Sequence, residues 1–600
     1  MPIVRPRQGA AAVVAALALV LTSAAAADAH GKPPKPPKPP KTVAVNLIAF
    51  NDFHGAIDPP TGSGGLVNGT PAGGVEYLAT AVKKLRAEQE QESPYNFTVA
   101  AGDLVGASPL VSAAFHDEPT VDEMNSLGLD VTSVGNHEFD EGVTELLRLQ
   151  NGGCHPVDGC QDGDGFSGAN YPMLAANVVD KTTNRPILAP YTIEKVGGVK
   201  VAFVGMTLEG TAGIVNPAGI TNVTFLDEAT TANRYARELR HKGVKSIVLL
   251  LHEGGQQSGP PPLDPSGCTG FTGAVTDIVS HLDPAYGVVV SGHTHRSYTC
   301  ALPNSSGAST VVTSAGSNGT LLTDIHLTLD KRTKRLVSAD ARNLIVENGV
   351  KNADGTWQQS APGIYVRNPA TVDADAQVIA DKYRTAVAPL ANRIVGSITA
   401  DITRTPNTAG ESALGDVIAD GMVAYTASAG VQLALMNPGG IRSDLTFANS
   451  PGGEAAGQVT YGEVFTVQPF NNLVVTVTLT GAQLKDVLEQ QFAGYAGQTT
   501  TKILQVSAGF TYTYSPSAAL GSRVSDIALN GTPIDPTATY RVSTNDFLAN
   551  GGDGFTKLTA ATDRTTAPGF DVDSLAAYLG TGPKGPGPQN RITGGPVPTP

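Results

Sequence analysis

Five times between Val43 and His295 an apolar run of strand length stops at a turn rich in Asp, Asn or His. Val43–Phe50 ends in Asn51-Asp52-Phe53-His54-Gly55, and Phe97–Ala101 ends in Gly102-Asp103. Val131–Val134 leads into Gly135-Asn136-His137-Glu138-Phe139-Asp140, and Ser246–Leu251 into His252-Glu253-Gly254-Gly255. The last, Gly287–Val290, leads into Ser291-Gly292-His293-Thr294-His295. Helical segments lie between these runs. Gly74–Gln91 carries Val75, Leu78, Ala79, Val82 and Leu85 at the spacing of one helix face, and Pro119–Leu127 and Glu228–Lys242 are further helices. Strands alternating with helices from Thr42 to about Asn343 predict an α/β sheet with helices on its faces. Ligands in such sheets bind outside the carboxyl ends of the strands, so the five turns are expected to share one crevice.

The groups that would meet there are Asp52, His54, Asp103, Asn136, His252, His293 and His295. Buried carboxylates and imidazoles are costly unless something offsets them, and a pair of divalent ions would. A carboxylate such as Asp103 can bridge two ions with its two oxygens. Imidazole together with carboxylate suits zinc, manganese or iron better than calcium or magnesium. Any one of these histidines alone reads as a hydrogen-bonded or solvated side chain. The protein has 11 histidines, and His54, His137, His252, His293 and His295 all fall in these turns, more than surface scatter gives.

With 600 residues the chain exceeds one core, so two domains plus tails are expected. A formal charge of −14, from 40 basic and 54 acidic residues, disfavours a grip on a nucleic-acid polymer. Arg5 and Arg7, the apolar run Ala10–Leu21 and Ala27-Asp28-Ala29 read as a signal peptide over residues 1–29, which predicts secretion. That run is short for a membrane span and no later stretch is long enough, so no transmembrane segment is expected. Residues 30–41 are a Lys-Pro-Pro spacer, extended, and suited also to a cell wall. Four cysteines in a secreted chain favour disulfides. Of three possible pairings, Cys154–Cys160 with Cys268–Cys300 closes each loop locally. The loops 151–168 and 256–272 read as decoration. Asp158, Asp162 and Asp164 lack the closing glutamate of an EF-hand, so a flexible acidic loop is expected.

Val372, Ala376, Ile379, Tyr383, Val387 and Leu390 recur at steps of three and four, one amphipathic helix within residues 370–392. A second domain follows over 393–579. Its marked turns are Asn437-Pro438-Gly439-Gly440-Ile441-Arg442, Gln468-Pro469-Phe470-Asn471-Asn472, Asn545-Asp546-Phe547 and Gly551-Gly552-Asp553-Gly554-Phe555. Taken alone, Phe470 and Phe547 read as core residues. Residues 580–600, rich in Gly and Pro, read as a disordered tail.

The ordered set Asp-x-His, Gly-Asp, Gly-Asn-His-Glu, His and Gly-His-x-His resembles the calcineurin-like metallophosphoesterases. Asn51 to Gly55 and Gly135 to Asp140 resemble the secreted 5'-nucleotidase / UDP-sugar hydrolase family in particular. The resemblance implies a four-layer metallophosphoesterase α/β sandwich over 42–345, a linker helix, and a smaller mixed α/β substrate domain. It assigns Asp52, His54, Asp103 and His295 to one metal, and Asp103, Asn136, His252 and His293 to a second. It makes His137 and Asp140 a catalytic dyad, the favoured reading over Asp140 merely capping a helix from Glu141 to Leu149, and the two roles can coexist. It implies that Phe470 and Phe547 stack a nucleobase, that Asn437 and Arg442 meet the phosphate, and that Asp553 contacts the sugar. The best-known members carry an extra arginine where Gly410 stands. Arg404 lies upstream, and the sequence leaves open whether it reaches the site. The expected activity is release of phosphate from nucleoside 5'-monophosphates by a hydroxide held between the metals. Cyclic-nucleotide or UDP-sugar hydrolysis, and an inactive surface binding module, are the alternatives.

Overall fold

A computed structural model describes residues 41–597 apart from 61, 216, 362 and 471. The expected signal peptide, the spacer up to residue 40, Asn471 and residues 598–600 lie outside the described residues.

Thr42–Phe50 is an inner strand of a six-stranded sheet. The order is Leu336–Ile345, Leu321–Asp330, Thr42–Phe50, Asn96–Ala101, Val131–Ser133 and Met173–Leu174. The last four run parallel to one another. A second six-stranded sheet has the order Ser297–Pro303, Ser309–Ala315, Tyr286–Ser291, Ser246–His252, Val199–Thr207 and Tyr191–Val196. The side-chain period of two explains why the inner strands are apolar throughout. Val45, Leu47 and Ala49 meet Phe203, Val248, Leu250 and Val290 between the sheets. Ile48 and Phe50 point the other way, into a core shared with helices Val75–Glu90 and Glu118–Leu127. Ile247, Leu249 and Leu251 likewise face helices Glu228–His241 and Ala274–His281. The product is helix, sheet, sheet, helix: the expected four layers.

Both expected disulfides, Cys154–Cys160 and Cys268–Cys300, are formed. The acidic loop is not the loose decoration its composition suggested. Lys382 Nζ lies 2.9 Å from Asp162 Oδ2 and 2.9 Å from Asp164 Oδ2, and the Tyr383 hydroxyl donates to Asp162. Those partners belong to the linker helix, Ala374–Ala391, whose first turn is capped by Asp373 accepting from the Ala376 N–H. Ala376, Ala380, Tyr383 and Val387 form its buried face, while Leu390 is exposed, against expectation. The period places Leu390 on the apolar stripe, but in the last turn it is Ala391 that packs, against the helix at Gly462. Lys83 pairs with Asp373, and Arg384 with Glu76 and Asp58, which fastens the helix to the first lobe.

The second lobe is built on a five-stranded sheet, ordered Gln505–Val506, Leu433–Met436, Thr539–Asn545, Leu473–Thr480 and Thr562–Phe570. Helices Ala413–Tyr425 and Asp571–Leu579 pack together beside it. A second sheet of four strands contains Phe510–Tyr514. Here the expected disordered tail is corrected over residues 580–597. Ile592–Thr593 pairs in parallel with Tyr512 and Thr513, so the tail completes that sheet. Arg591 is buried and donates to both oxygens of Asp420 at 2.8 Å and to the Val506 carbonyl. Glycine and proline content hid this, because one arginine and one isoleucine provide the anchoring. Replacing Arg591 by Met should leave a carboxylate uncompensated and cost about 3 kcal/mol, read as a lower denaturant midpoint for the second lobe.

Candidate active site

The carboxyl ends of strands from both sheets meet at one edge, and the turns bring all seven expected metal-binding side chains into one cluster. Three groups of donor atoms form: Asp52, His54 and His295; His54, Asp103 and His137; and Asp103, His252 and His293. Asp103 belongs to two of them. Its Oδ2 lies 2.9 Å from His252 Nε2 and 3.7 Å from His54 Nε2. Asn136 Oδ1 completes the second half, 3.2 Å from His252 Nε2 and 3.0 Å from His293 Nδ1. In the first half His295 Nε2 is 3.0 Å from His54 Nε2 and 3.4 Å from Asp52 Oδ1.

This donor set fits divalent ions. Asp52 and Asp103 are buried, and among the described residues no lysine or arginine pairs with either. Two buried carboxylates without a fixed cation are what a metal would neutralise. The ring nitrogens facing the centre are free to coordinate, because the opposite nitrogen is already engaged. His54 Nδ1 is 2.9 Å from the Gly106 carbonyl and His252 Nδ1 is 2.8 Å from the Ala101 carbonyl, the outer partners metal-binding imidazoles usually have. Burial holds His54 well below the ordinary imidazole range and His293 down at about 3. At His252 burial is overcome by the Asp103 carboxylate, which pushes the ring up to about 10, and an ion beside Asp103 would replace that proton. Burial would raise the Asp103 carboxyl, but His252 and His137 outweigh it and hold Asp103 well below its usual value.

The backbone is bent to make this cluster. Asp52, His54, Asp103, His293 and His295 all have φ between 50° and 70°, a region L-residues rarely enter. Strain gathered on five of seven donors marks a functional site. Gly135 is required by space: a Cβ there would lie 2.2 Å from Asp103 Oδ1 and 2.7 Å from the His252 ring. Glu138, which the sequence placed in the motif without a role, is a positioning residue. Its carboxylate accepts the backbone N–H of Gly135, Asp103 and Leu104 at 2.5, 3.0 and 2.7 Å. Two strand-end turns are thereby tied to one side chain. Glu138→Gln removes that acceptor capacity, and a 10–100-fold weaker metal affinity is expected by titration of the chelated protein.

His137 borders the same cluster, its ring 5.0 Å from that of His54. His137 Nδ1 is 2.8 Å from Asp140 Oδ2, and its backbone N–H donates to Asp103 Oδ1. Burial lowers the imidazole pKa, but the Asp140 and Asp103 charges more than compensate, and it is raised. The capping alternative for Asp140 is not what the structure shows. The following helix is Val143–Asn151, its N-cap is Gly142, and Asp140 bonds the histidine instead.

The substrate-side residues come from the second lobe. The Phe470 ring lies nearly parallel to His137, centroids 5.8 Å apart, and the Arg442 guanidinium is 5.8 Å from the centre of Phe470. The turns of this lobe therefore reach the dyad. Burial and then the charge of Arg404 lower the Arg442 pKa, against Asp103, Asp140 and Asp52, which face it. Arg404 does reach this region: its Nη1 approaches the Ile441 carbonyl, one residue from Arg442. Asn437 and Asp553 meet each other, Asn437 Nδ2 donating to Asp553 Oδ2 at 2.8 Å. Lys502, unmarked in the sequence, pairs with Asp553 Oδ1 at 2.5 Å, and Asn545 donates to Asn437 Oδ1. Phe547 lies against Gly552, beside Asp553: a Cβ on that glycine would fall 2.6 Å from the ring.

Four layers with carboxylate, amide and imidazole donors gathered at the strand ends define a metallophosphoesterase. Residues 45–297 match the calcineurin-like phosphoesterases, and residues 391–560 match the 5'-nucleotidase C-terminal domain. The chain belongs to the 5'-nucleotidase family of phosphoric ester hydrolases. It is 32% identical over 88% of its length to an endonuclease of Bacillus subtilis, spanning 39% of that protein. It is also 32% identical over 90% of its length to a cell wall protein of Listeria monocytogenes, spanning 67% of it. The crystal structure of a 5'-nucleotidase precursor from Thermus thermophilus superposes with a TM-score of 0.72 at 26% identity, over 92% of this chain and 99% of that one. Among the described residues no helix is long and apolar enough to cross a membrane.

Proposed function

We propose that this protein is exported and releases phosphate from nucleoside 5'-monophosphates, using two divalent ions of the zinc or manganese type. Asp52, His54, Asp103 and His295 would hold one ion, and Asp103, Asn136, His252 and His293 the other. Bound there, the ions would supply a water of lowered pKa and neutralise phosphoryl charge. His137, oriented by Asp140, presents its proton to the phosphoryl or leaving oxygen as charge develops. Arg442, with Arg404 behind it, meets the phosphate with two-donor geometry. Phe470 and Phe547 take the base between them, and Asp553, with Asn437, reads the sugar.

The observation that carries this reading is the Arg442–Phe470–His137 stack. An aromatic face stacked on the proposed acid, with a guanidinium beside that face, supports the reading of an anion grip there. The Thermus relative is named a 5'-nucleotidase, which supports the same substrate class. A nuclease reading has one observation in its favour, the Bacillus relative's name, but that protein is more than twice as long as the stretch matched here. The net charge of −14 also opposes a polymer-binding groove.

Turnover of AMP, UMP, a 2',3'-cyclic nucleotide, a UDP-sugar and polymeric DNA, read as free phosphate for the monophosphates and as nucleotide or shortened-strand products for the others, with manganese or zinc restored after chelation, decides among these. Monophosphates should be turned over fastest. Preference for the cyclic nucleotide or UDP-sugar would move the substrate within the family, degradation of DNA would favour the nuclease, and no turnover of any would leave a binding module.

A further inference from the structure

A second cluster of imidazoles and carboxylates lies outside the phosphoesterase centre and shares no residue with it. His116 occupies the turn between helices Leu110–Ala113 and Glu118–Leu127. His116 Nε2 is 2.9 Å from Asp158 Oδ2, and its Nδ1 is 2.8 Å from Glu141 Oε2. The His155 ring stacks on His116 with centroids 3.7 Å apart, and its Nδ1 is 3.3 Å from the same Asp158 oxygen. One donor atom from each of His116, His155 and Asp158 lies within 4.8 Å of the other two.

We propose that His116, His155 and Asp158 form an additional site for a divalent ion of the zinc class, with Glu141 orienting His116 and water in the fourth position. Tetrahedral donors about 2.0–2.1 Å from zinc stand roughly 3.3 Å apart, and the Asp158 oxygen stands 2.9 and 3.3 Å from the two ring nitrogens. Glu141 supplies what metal-binding histidines usually have, a carboxylate on the opposite ring nitrogen that fixes the tautomer. Two imidazoles and a carboxylate suit zinc better than calcium or magnesium. The site is open to solvent, with Asp158 45% exposed, but its imidazoles are held: 17% and 14% of the His116 and His155 side chains are accessible.

Two of the three ligands come from one small covalent ring. The Cys154–Cys160 disulfide closes the loop that carries His155 and Asp158, and the Gly159 N–H donates to the His155 carbonyl across it. Without the ion, His116 bridges Glu141 and Asp158 as an imidazolium, its pKa raised to about 9 by the Glu141 bond, and the Asp158 N–H donates to His155 Nδ1 at 3.2 Å. The ion takes the place of that proton and that long hydrogen bond. It would pin the disulfide loop to the turn at His116. The next residue, Asp117, accepts from the Gly106 N–H, and the Gly106 carbonyl is the partner of His54 Nδ1.

The test is equilibrium dialysis of the chelated full chain against low micromolar zinc, followed by elemental analysis, with wild type, His155→Gln and Asp158→Asn. Each variant should bind one ion fewer than wild type. The total expected for wild type, three, rests on the proposed function, but the difference of one does not. An empty phosphoesterase centre would give one ion against none, and would overturn only that reading. Equal zinc content in wild type and both variants overturns the additional site. Zinc-edge anomalous scattering from wild-type crystals checks the same point without a substitution. A peak between His116 Nε2, His155 Nδ1 and Asp158 is expected, and its absence at full occupancy elsewhere overturns the proposal.

Discussion

Asp103→Asn should lower phosphate release by about 10⁴-fold and strip the protein of at least one of the two phosphoesterase ions proposed above. The magnitude is what several kcal/mol of lost transition-state stabilisation gives. Asp103 earns this prediction by position: it faces His252 at 2.9 Å and His54 at 3.7 Å, and its other oxygen accepts the His137 N–H. Both halves of the centre and the dyad are therefore joined through one carboxylate. The amide keeps the shape but removes the charge, and it has one acceptor oxygen where two are used. Elemental analysis and phosphate release, measured together, read the two effects. A variant with full metal content and near-normal rate would show that Asp103 does not bridge.

His137→Ala should lower kcat by about 10²–10⁴-fold while leaving metal content and KM nearly unchanged, the range expected for loss of a proton donor. Its Nδ1 is committed to Asp140 at 2.8 Å, which orients the ring. The pH dependence follows from the same contact. Burial lowers the His137 pKa, the Asp140 and Asp103 charges raise it, and the net direction is upward. The protonated form is therefore present below that raised value and is lost as pH rises through it. Asp140→Asn removes one of the two raising charges, so the alkaline limb of the kcat profile should move to lower pH. The profile must be recorded with metal saturating. An alkaline limb that stays in place would assign it to another group.

Much of this was legible because the sequence repeats one event: an apolar strand ends and a metal donor follows. Val43–Phe50 and Ser246–Leu251 face cores on both sides, so their composition alone marked them, and the donors had to gather at their ends. The linker helix was readable for the same kind of reason, a buried stripe at helical spacing. What escaped were features made by single contacts across long separations. Lys382 reaches an acidic loop 220 residues earlier, and Arg591 reaches Asp420 across 171. No local pattern announces such pairs, so the loop read as loose and the tail as disordered. Glu138 sat in a marked motif, yet its three backbone partners lie on turns that only the fold brings together. Lys502 follows a run of threonines with nothing to distinguish it until Asp553 is placed beside it.

The most direct measurement is phosphate release from AMP by the purified full chain, before chelation, after it, and after zinc or manganese is restored. Activity should vanish with the metal and return with it. An unchanged rate in the chelated protein, verified free of metal by elemental analysis, would contradict the account.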